Sequence, residues 1–389
     1  MHDKTTCPIC KVTKARPILY SRRLPTGYVF RVSCCVDCGY AFQDSITPEQ
    51  YHLMNTTYLQ YSSAMATQEI ETTDLYKQAG LQMEFIDRLR PIPNGGRVLD
   101  IGCGEGVLLA YCKEIGIIAD GVEPSLSHTA IAETRTDGAV YPMFFEDPRL
   151  EIDGYQLITL RHVLEHVMDI HGFLDKVRQS LSTDGVVYIE LPDSLCPSVF
   201  IAPYFVPEHI SYFTAASLKR LLSQHGFTVI RMETFRDNPQ GTMNYPVIRV
   251  LAKKHETKPI FLMGGPIEYI DLVDTFDKYF TDRRRLLDDL DKKLRSNNFD
   301  RGFWVFGAGY HSEILFAEMP EWLGDVVGFI DNDVSKHGKT FLGKLVCPPS
   351  VGNEIRVDRI LLSSIHEKEI LNGLMNLDWT SDTVILSIY

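Results

Sequence analysis

Short apolar runs alternate with amphipathic stretches between residues 97 and 192. The apolar runs predict strands, and the stretches between them predict helices such as GVLLAYCKEIG and MDIHGFLDKVRQSLS. The predicted strands are RVLDI, ADGVEP, QLITLRHVL and GVVYIELP. Strands separated by helices of this length are typical of a parallel α/β sheet. Two later runs, FTVIRMETF and NYPVIRVLAKK, predict an antiparallel hairpin at the edge of that sheet.

Other patterns flank this central region. Residues 51–90 are polar and rich in tyrosine, and the spacing predicts a helix from about Thr73 to Arg90. Residues 255–300 predict a linker and a long charged helix, either a solvated strut between domains or a partner-binding coiled coil. A second, smaller α/β series begins at 301, so we expect four parts: 1–50, 51–254, 255–300 and 301–389.

Composition and charge narrow the functional class. The 389 residues are 44% hydrophobic and 23% charged, close to the averages for soluble globular proteins. The net charge is −12, which disfavours a nucleic-acid or anionic-membrane binder. No run approaches the ~18 apolar residues of a membrane helix, and the N-terminus lacks a secretory pattern. We therefore expect a cytoplasmic protein without membrane insertion, either a monomer or a homodimer.

Five of the nine cysteines fall within the first 38 residues. Two C-x-x-C pairs, Cys7 with Cys10 and Cys35 with Cys38, flank a 24-residue segment. Cys34 competes with Cys35, but only Cys35 keeps the two-residue spacing to Cys38. Four thiolates in two such pairs suit a closed tetrahedral zinc site, which is structural because no ligand position stays open. The alternative is a set of buried free thiols.

A glycine-rich turn, Gly102-Cys103-Gly104-Glu105-Gly106, follows the first central strand directly after Asp100 and Ile101. Its spacing differs from the dinucleotide pattern G-x-G-x-x-G. A carboxylate at the strand tip suits a cationic amino group, and Glu123 at the end of the next strand can accept from two ribose hydroxyls. This combination predicts S-adenosyl-L-methionine as the ligand.

The stretches RVLDIGCGEG, GVEPS, YQLITLRHVLEHVMD and GVVYIELPD resemble class I S-adenosylmethionine-dependent methyltransferases from about Gly95 to Lys254. The resemblance implies a Rossmann-like, seven-stranded sheet. It places Phe145 and Glu146 beside the adenine and His162 at the mouth of the site. Glu165 and His166 continue into the next turn, and a structural role suits them as well as a functional one.

The wider arrangement resembles nucleotide-sugar C-methyltransferases, which implies an N-terminal zinc ribbon and a C-terminal Rossmann-like domain. It also implies a nucleotide-linked 4-keto-deoxysugar as the small-molecule acceptor. The segment Pro207-Glu208-His209-Ile210-Ser211-Tyr212-Phe213 is similar to that family's catalytic E-H-x-x-Y-F segment. The family has a tyrosine two residues before the glutamate, where this chain has Val206.

C-methylation beside a ketone requires a base, and a donor to the enolate oxygen. His209 can remove the proton, Glu208 can orient the His209 ring, and Tyr212 can donate a hydrogen bond to the enolate oxygen. An O- or N-methyltransferase of another small-molecule or polysaccharide-linked acceptor needs only one base, and His209 suits that role too. A third hypothesis is a non-catalytic zinc-ribbon binding protein with a degenerate core.

A second glycine turn, Gly307-Ala308-Gly309, follows a strand in the C-terminal series, but Ser312 stands where the dinucleotide pattern has its third glycine. The next strand ends in Asp331 and Asp333. This pattern indicates either a site for the nucleotide part of a substrate or a purely structural turn.

Overall fold

A computed structural model of the chain describes residues 5–14, 17–23, 29–58, 70–93, 95–199, 204–235, 246–255, 267–364 and 367–388. The chain divides into two compact units. The first comprises Met1–Pro197 and Phe205–Phe276, and the second comprises Ser198–Tyr204 and Asp277–Tyr389. No helix in the described ranges is both long and apolar enough to cross a membrane.

The first unit begins with five short strands, β1 (Thr5–Thr6), β2 (Thr13–Lys14), β3 (Ile18–Arg23), β4 (Val29–Cys34) and β5 (Ala41–Gln43). Strands β1 and β2 form an antiparallel pair, and β3, β4 and β5 form an antiparallel sheet. Buried side chains of this segment, such as Tyr40 and Phe42, belong to the same hydrophobic cluster as the central sheet. The N-terminal segment therefore shares its core with the region that follows it.

The rest of the first unit is built around a seven-stranded sheet. Its helices are α1 (Pro48–Tyr58), α2 (Asp74–Leu89), α3 (Val107–Glu114), α4 (Leu126–Ala132), α5 (Ile170–Ser180) and α6 (Ala215–Gln224). Its strands are β6 (Val98–Ile101), β7 (Ala119–Val122), β8 (Val140–Tyr141), β9 (Tyr155–Arg161), β10 (Leu181–Pro192), β11 (Ser211–Tyr212), β12 (Phe227–Phe235) and β13 (Val247–Lys254). Strand β11 stands apart, because it pairs with β5.

The order of the seven strands is β12-β13-β10-β9-β6-β7-β8. Strands β6 to β10 run parallel, whereas β13 is antiparallel to both β10 and β12. The predicted seven-stranded α/β sheet with an antiparallel edge pair is confirmed. Helix α2 begins where the spacing predicts, because the Thr73 hydroxyl accepts from the Tyr76 N–H at 3.3 Å and caps the first turn.

The second unit contains a six-stranded sheet in the order β16-β17-β15-β14-β18-β19, parallel except for β16. Its strands are β14 (Phe303–Phe306), β15 (Val326–Ile330), β16 (Thr340–Phe341), β17 (Lys344–Cys347), β18 (Arg359–Leu362) and β19 (Val384–Ser387). Its helices are α8 (Tyr310–Glu318) and α9 (Glu367–Met375). The sheet agrees with the α/β pattern of the sequence.

The long charged helix is α7 (Ile267–Ser296), and it is divided between the units after Phe276. Residues 256–266 of the expected linker lie outside the described residues. The helix is not exposed to solvent along its whole length, as a solvated strut would be. Leu272 and Phe276 are buried, and Leu290 and Leu294 belong to the core of the second unit.

Short 3-10 turns complete the described chain at Ile70–Thr72, Glu133–Arg135, Leu164–His166, Phe299–Arg301, Pro320–Asp325, Val334–Lys336, Pro349–Asn353 and Asp378–Thr380.

Substitutions at two glycines of the first unit can test how far the turn before α3 depends on packing. Gly106 and Gly116 have left-handed φ of 79° and 76°. A Cβ on Gly106 would lie 2.9 Å from the Ala132 Cα, whereas one on Gly116 would meet nothing within 4 Å. We expect Gly116→Ala to lower the unfolding free energy by ~1–2 kcal/mol, the left-handed cost alone. Gly106→Ala should cost a further ~1–3 kcal/mol for overpacking.

Circular dichroism during denaturant unfolding measures both losses. The three tryptophans, Trp304, Trp322 and Trp379, all lie in the second unit, so their emission follows that unit separately. Equal losses for the two variants would contradict the packing argument.

Candidate active site and candidate metal centre

The glycine-rich turn lies at the carboxyl end of β6, beside the carboxyl end of β7. Gly102, Gly104 and Gly106 all have positive φ, between 53° and 79°. A Cβ on Gly102 would also lie 2.5 Å from a methyl carbon of Val163. Only glycine therefore suits both the backbone conformation and the space at Gly102.

Glu123 joins this turn to the adjacent strand end. Its carboxylate accepts from the Gly104 N–H at 3.1 Å and from the Ser125 N–H at 2.8 Å, one on each oxygen. The side chain is buried but lines a cavity in front of the turn. Each oxygen keeps lone-pair capacity, so the geometry suits the predicted contact with two ribose hydroxyls.

Asp100 lies at the base of the same turn, and it is fully buried. It accepts from the Thr159 hydroxyl at 2.6 Å and from the Arg161 guanidinium at 2.8 Å. It is not among the described residues that line the cavity. The structure therefore brings Asp100 close to the turn but pairs its charge with Arg161.

The predicted adenine-side residues both line the cavity. Phe145 is buried, with its ring 5.0 Å from that of Phe173, and burial raises the pKa of Glu146. Sequence reasoning missed Tyr51 and Asn55 of α1, which line the same cavity. The tyrosine-rich polar composition of this helix was the only signal that could have found them.

His162 lines the cavity directly after β9, with a left-handed φ of 53°. Its backbone N–H donates to the Glu190 carbonyl at 2.9 Å, and its Nδ1 lies 3.3 Å from Glu165 Oε1. Burial lowers the pKa of His162, but Glu165 raises it more, so the net shift is upward. His162 thus lies at the cavity, and its position at the mouth of the site stays a prediction.

The loop with Glu208 and His209 is held on two sides. The Gln43 side chain donates to the Pro207 carbonyl at 2.7 Å and to the His209 carbonyl at 3.1 Å. The Ile210 N–H donates to the Glu165 carbonyl at 2.7 Å. Glu208 is exposed and lines the cavity. His209 is half-buried and is not among the described residues that line the cavity, but its ring packs against that of His166, which does.

Tyr212 lies in the core. Its exposed fraction is 2%, and its hydroxyl donates to the Val206 carbonyl at 3.2 Å. The ring packs against Phe205 with centroids 5.0 Å apart. Tyr212 is not among the described residues that line the cavity, so the structure does not bring it to the site with Glu208.

Glu165 and His166 adjoin His209. The His166 and His209 ring centroids are 4.9 Å apart, and His166 lines the cavity. Burial raises the pKa of Glu165. The hydrogen bond with His162 and the nearby His166 and His209 have the opposite and larger effect, so the pKa falls to about 2. Burial and His166 lower the pKa of His209 to about 3, so its ring is neutral near pH 7.

The four predicted zinc ligands converge. The sulfurs of Cys7 and Cys38 are 3.6 Å apart, those of Cys10 and Cys35 are 3.5 Å apart, and all four lie within 4.8 Å of one another. Thiolates at ~2.3 Å from a tetrahedral zinc stand about 3.8 Å apart, so the spacing fits that ion. Cys34 is outside this group, and its thiol points to the Cys35 carbonyl.

Side chains of the chain itself form hydrogen bonds with the C-terminal glycine turn. Asp331 Oδ2 accepts from the Ala308 N–H at 2.9 Å and from the Lys336 ammonium at 3.0 Å. The Ser312 hydroxyl lies between the Gly307 carbonyl and the Ser363 hydroxyl. These contacts stabilise the turn itself, in keeping with the structural interpretation of this motif.

Comparisons with known proteins bear on the central region. The family model described as "Methyltransferase domain" matches residues 75–232. An ubiquinone biosynthesis O-methyltransferase of Rhodopseudomonas palustris (strain HaA2) is 29% identical over 103 residues, 25% of this chain and 40% of that protein. The C-methyltransferase NovU of Streptomyces niveus is 27% identical over 175 residues, 43% of this chain and 41% of that protein. The chain thus spans about two-fifths of the length of these curated relatives.

Among solved structures, 1,6-didemethyltoxoflavin-N1-methyltransferase of Burkholderia thailandensis has 17% sequence identity and a TM-score of 0.40. The match covers 57% of this chain and 98% of that chain.

The matched residues contain the glycine turn, Glu123 and most of the cavity lining. The alternative of a non-catalytic binding protein is therefore set aside. Residues 75–232 match the methyltransferase domain family, and this match indicates that the protein is an enzyme.

Proposed function

We propose that the protein methylates a carbon atom of a keto-deoxysugar linked to a nucleotide, with S-adenosylmethionine as the methyl donor. One observation carries this proposal: a single cavity is lined by Glu123 at the glycine turn and by His162, His166 and Glu208. In this proposal the groups that bind the donor and those that face the acceptor share one cavity. The likeness to a protein named as a C-methyltransferase supports carbon as the acceptor atom.

When bound, S-adenosylmethionine supplies an electrophilic methyl group on a sulfonium. In our proposal His209 takes the proton from the carbon beside the ketone, because a neutral imidazole has a lone pair for it. The Tyr212 hydroxyl already donates to the Val206 carbonyl, so we assign donation to the enolate oxygen to His162, which lines the cavity.

The second candidate is O- or N-methylation of another small-molecule or polysaccharide-linked acceptor. Two observations favour it. Val206 replaces the family's tyrosine, and the Tyr212 hydroxyl is engaged with the backbone. A hydroxyl acceptor needs only a base, and the likeness to proteins named as O-methyltransferases is of similar strength.

We also propose structural zinc at the four cysteines and a reducing, cytoplasmic setting, since all nine cysteines are free thiols.

The zinc proposal predicts about one zinc per chain in freshly purified, reduced protein. Cys35→Ser should remove the metal, because it deletes one of four ligands, whereas Cys34→Ser should retain it. Metal analysis by mass spectrometry makes the comparison. Equal zinc content in both variants would reject the assignment of Cys35.

The cofactor proposal predicts that Glu123→Gln weakens S-adenosylmethionine binding by ~1.5–3 kcal/mol, the contribution of a hydrogen bond to a charged group. Glu133→Gln is the matched control, since Glu133 is exposed on a nearby 3-10 turn. Asp100→Asn should also weaken binding, but indirectly, because it removes the anionic partner of the half-buried Arg161. Calorimetry with S-adenosylmethionine measures all three affinities, and unchanged binding by Glu123→Gln would contradict the ribose assignment.

The base proposal predicts that His209→Asn lowers turnover by roughly 10²–10⁴-fold and keeps cofactor affinity. The loss should appear in kcat more than in KM, because proton transfer belongs to the transition state. The assay uses a panel of nucleotide-linked keto-sugars, with product mass as the readout. Near-normal turnover by His209→Asn would rule out His209 for either type of acceptor.

Hydrogen exchange separates the two types of acceptor. For C-methylation, wild-type enzyme in D₂O without the methyl donor should place deuterium on the carbon beside the ketone, and His209→Asn should not. An active enzyme that shows no exchange would favour O- or N-methylation.

A further inference from the structure

Three side chains with metal-ligating atoms converge beside the cavity. The carboxylate of Glu165 and the ring nitrogens of His166 and His209 offer one ligand atom each, all within 4.8 Å of one another. Two atoms bound to a tetrahedral ion at ~2.0–2.2 Å each stand about 3.3–3.6 Å apart. Side-chain rotations that bring the three atoms roughly 1 Å closer would place them around one ion.

The carboxylate of Glu165 has one uncommitted oxygen. The residue is 1% exposed, and Oε1 lies 3.3 Å from His162 Nδ1. Oε2 is buried and has no hydrogen-bond partner among the described residues. A buried carboxylate oxygen without a partner is costly, and a bound cation removes that cost. This oxygen is an independent indication of a ligand at the cluster.

The ring of His166 is oriented as a ligand. Its Nδ1 lies 2.9 Å from the carbonyl oxygen of Glu208. A carbonyl only accepts, so Nδ1 carries the hydrogen and the lone pair of the neutral ring is on Nε2. Metal-binding histidines typically donate their other N–H to a backbone carbonyl in this way, which sets the tautomer and the ring orientation.

The backbone around the cluster is held independently of any ion. The Ile210 N–H donates to the Glu165 carbonyl at 2.7 Å, which ties the His209 loop to the turn with Glu165 and His166. Gln43 donates to the His209 carbonyl at 3.1 Å from the opposite side. The donors therefore sit on segments that are already fixed to each other, as a binding site requires.

We propose that Glu165, His166 and His209 bind one divalent transition-metal ion, distinct from zinc at the four cysteines. Two imidazoles and one carboxylate are a donor set suited to Zn²⁺, Co²⁺ or Ni²⁺, and it leaves a coordination position open. The site lies at the acceptor side of the cavity, because His166 lines the cavity.

The ion has a consequence for turnover, and only this part of the inference rests on the proposed function. A neutral imidazole has one lone pair, and a metal bond at His209 uses it. An acceptor oxygen can still occupy the open position of the ion, but the proton beside the ketone has lost its acceptor. The ion should therefore inhibit proton removal by His209.

The experiment titrates the zinc-containing protein with Co²⁺ at pH 7.5, without methyl donor, by calorimetry. A chromogenic chelator follows zinc release, so exchange at the cysteines is recognised. We expect one Co²⁺ per chain without zinc release. Glu165→Gln and His166→Gln should each weaken binding by at least about 10–100-fold. His255→Gln, a histidine outside the site, should bind as wild type does.

The activity arm adds Co²⁺ to wild type and to Glu165→Gln, which retains His209. Wild-type turnover should fall with the midpoint of the binding curve, and any turnover of Glu165→Gln should resist the ion to at least ~10-fold higher concentration. Circular dichroism and S-adenosylmethionine affinity check that the variants are folded.

Three results would overturn the proposal: no Co²⁺ binding beyond zinc exchange, wild-type affinity in both folded variants, or stimulation of turnover by the ion. If no sugar is methylated at all, the proposed function fails while the binding arm still decides the metal site.

Discussion

Pairing between β5 and β11 holds the loop that bears Glu208 and His209. Ser211 lies opposite Phe42 and Tyr212 opposite Ala41, and the Gln43 N–H donates to the Ile210 carbonyl at 2.9 Å. The buried Gln43 side chain adds two more hydrogen bonds to carbonyls of the loop. The side of the cavity that Glu208 lines therefore takes its shape from the N-terminal segment, although the cavity belongs to the central sheet.

This dependence connects the cysteine cluster with the loop that bears His209. Segments of about 50 residues bury too little apolar surface to be stable alone, and a metal or a neighbouring core has to supply the difference. The neighbouring core is present here, because Tyr40 and Phe42 pack into the shared core. The four sulfurs have the spacing of a tetrahedral site, so they can provide the other support. In our zinc proposal, removal of the metal would loosen β5, and the loop that bears His209 would lose its partner strand.

The periodic parts of the fold could be predicted from the sequence. Alternating strand and helix patterns indicated the parallel α/β sheet and its antiparallel edge pair, the family resemblance implied seven strands, and residue spacing separated Cys35 from Cys34. Glu123 could be found because its position depends only on being at the end of the second strand. Each of these inferences uses local order along the chain, which a sequence displays directly.

The remaining features depend on pairings between distant segments. Strand β11 has two residues, too few to show an alternation, and a one-residue shift of register would reverse which side chains face the core. The sequence therefore could not show that Tyr212 is buried. It could not show that Asp100 pairs with Arg161 on another strand, or that Tyr51 of α1 reaches the cavity.

The charges around the cavity explain why this turn suits a sulfonium rather than a pyrophosphate. Beneath the turn, Asp100 pairs with Arg161 and Glu190 with Arg249, so the charges buried in the sheet cancel in pairs. Glu123 is different, because two backbone N–H groups stabilise its carboxylate and the charged group nearest to it is the His128 ring at 4.0 Å rather than an arginine. Dinucleotide sites expose backbone N–H donors to phosphate oxygens at the same place in a βα unit. Here the Gly104 N–H already serves Glu123, so the turn presents negative charge to its ligand and favours one with a cationic centre.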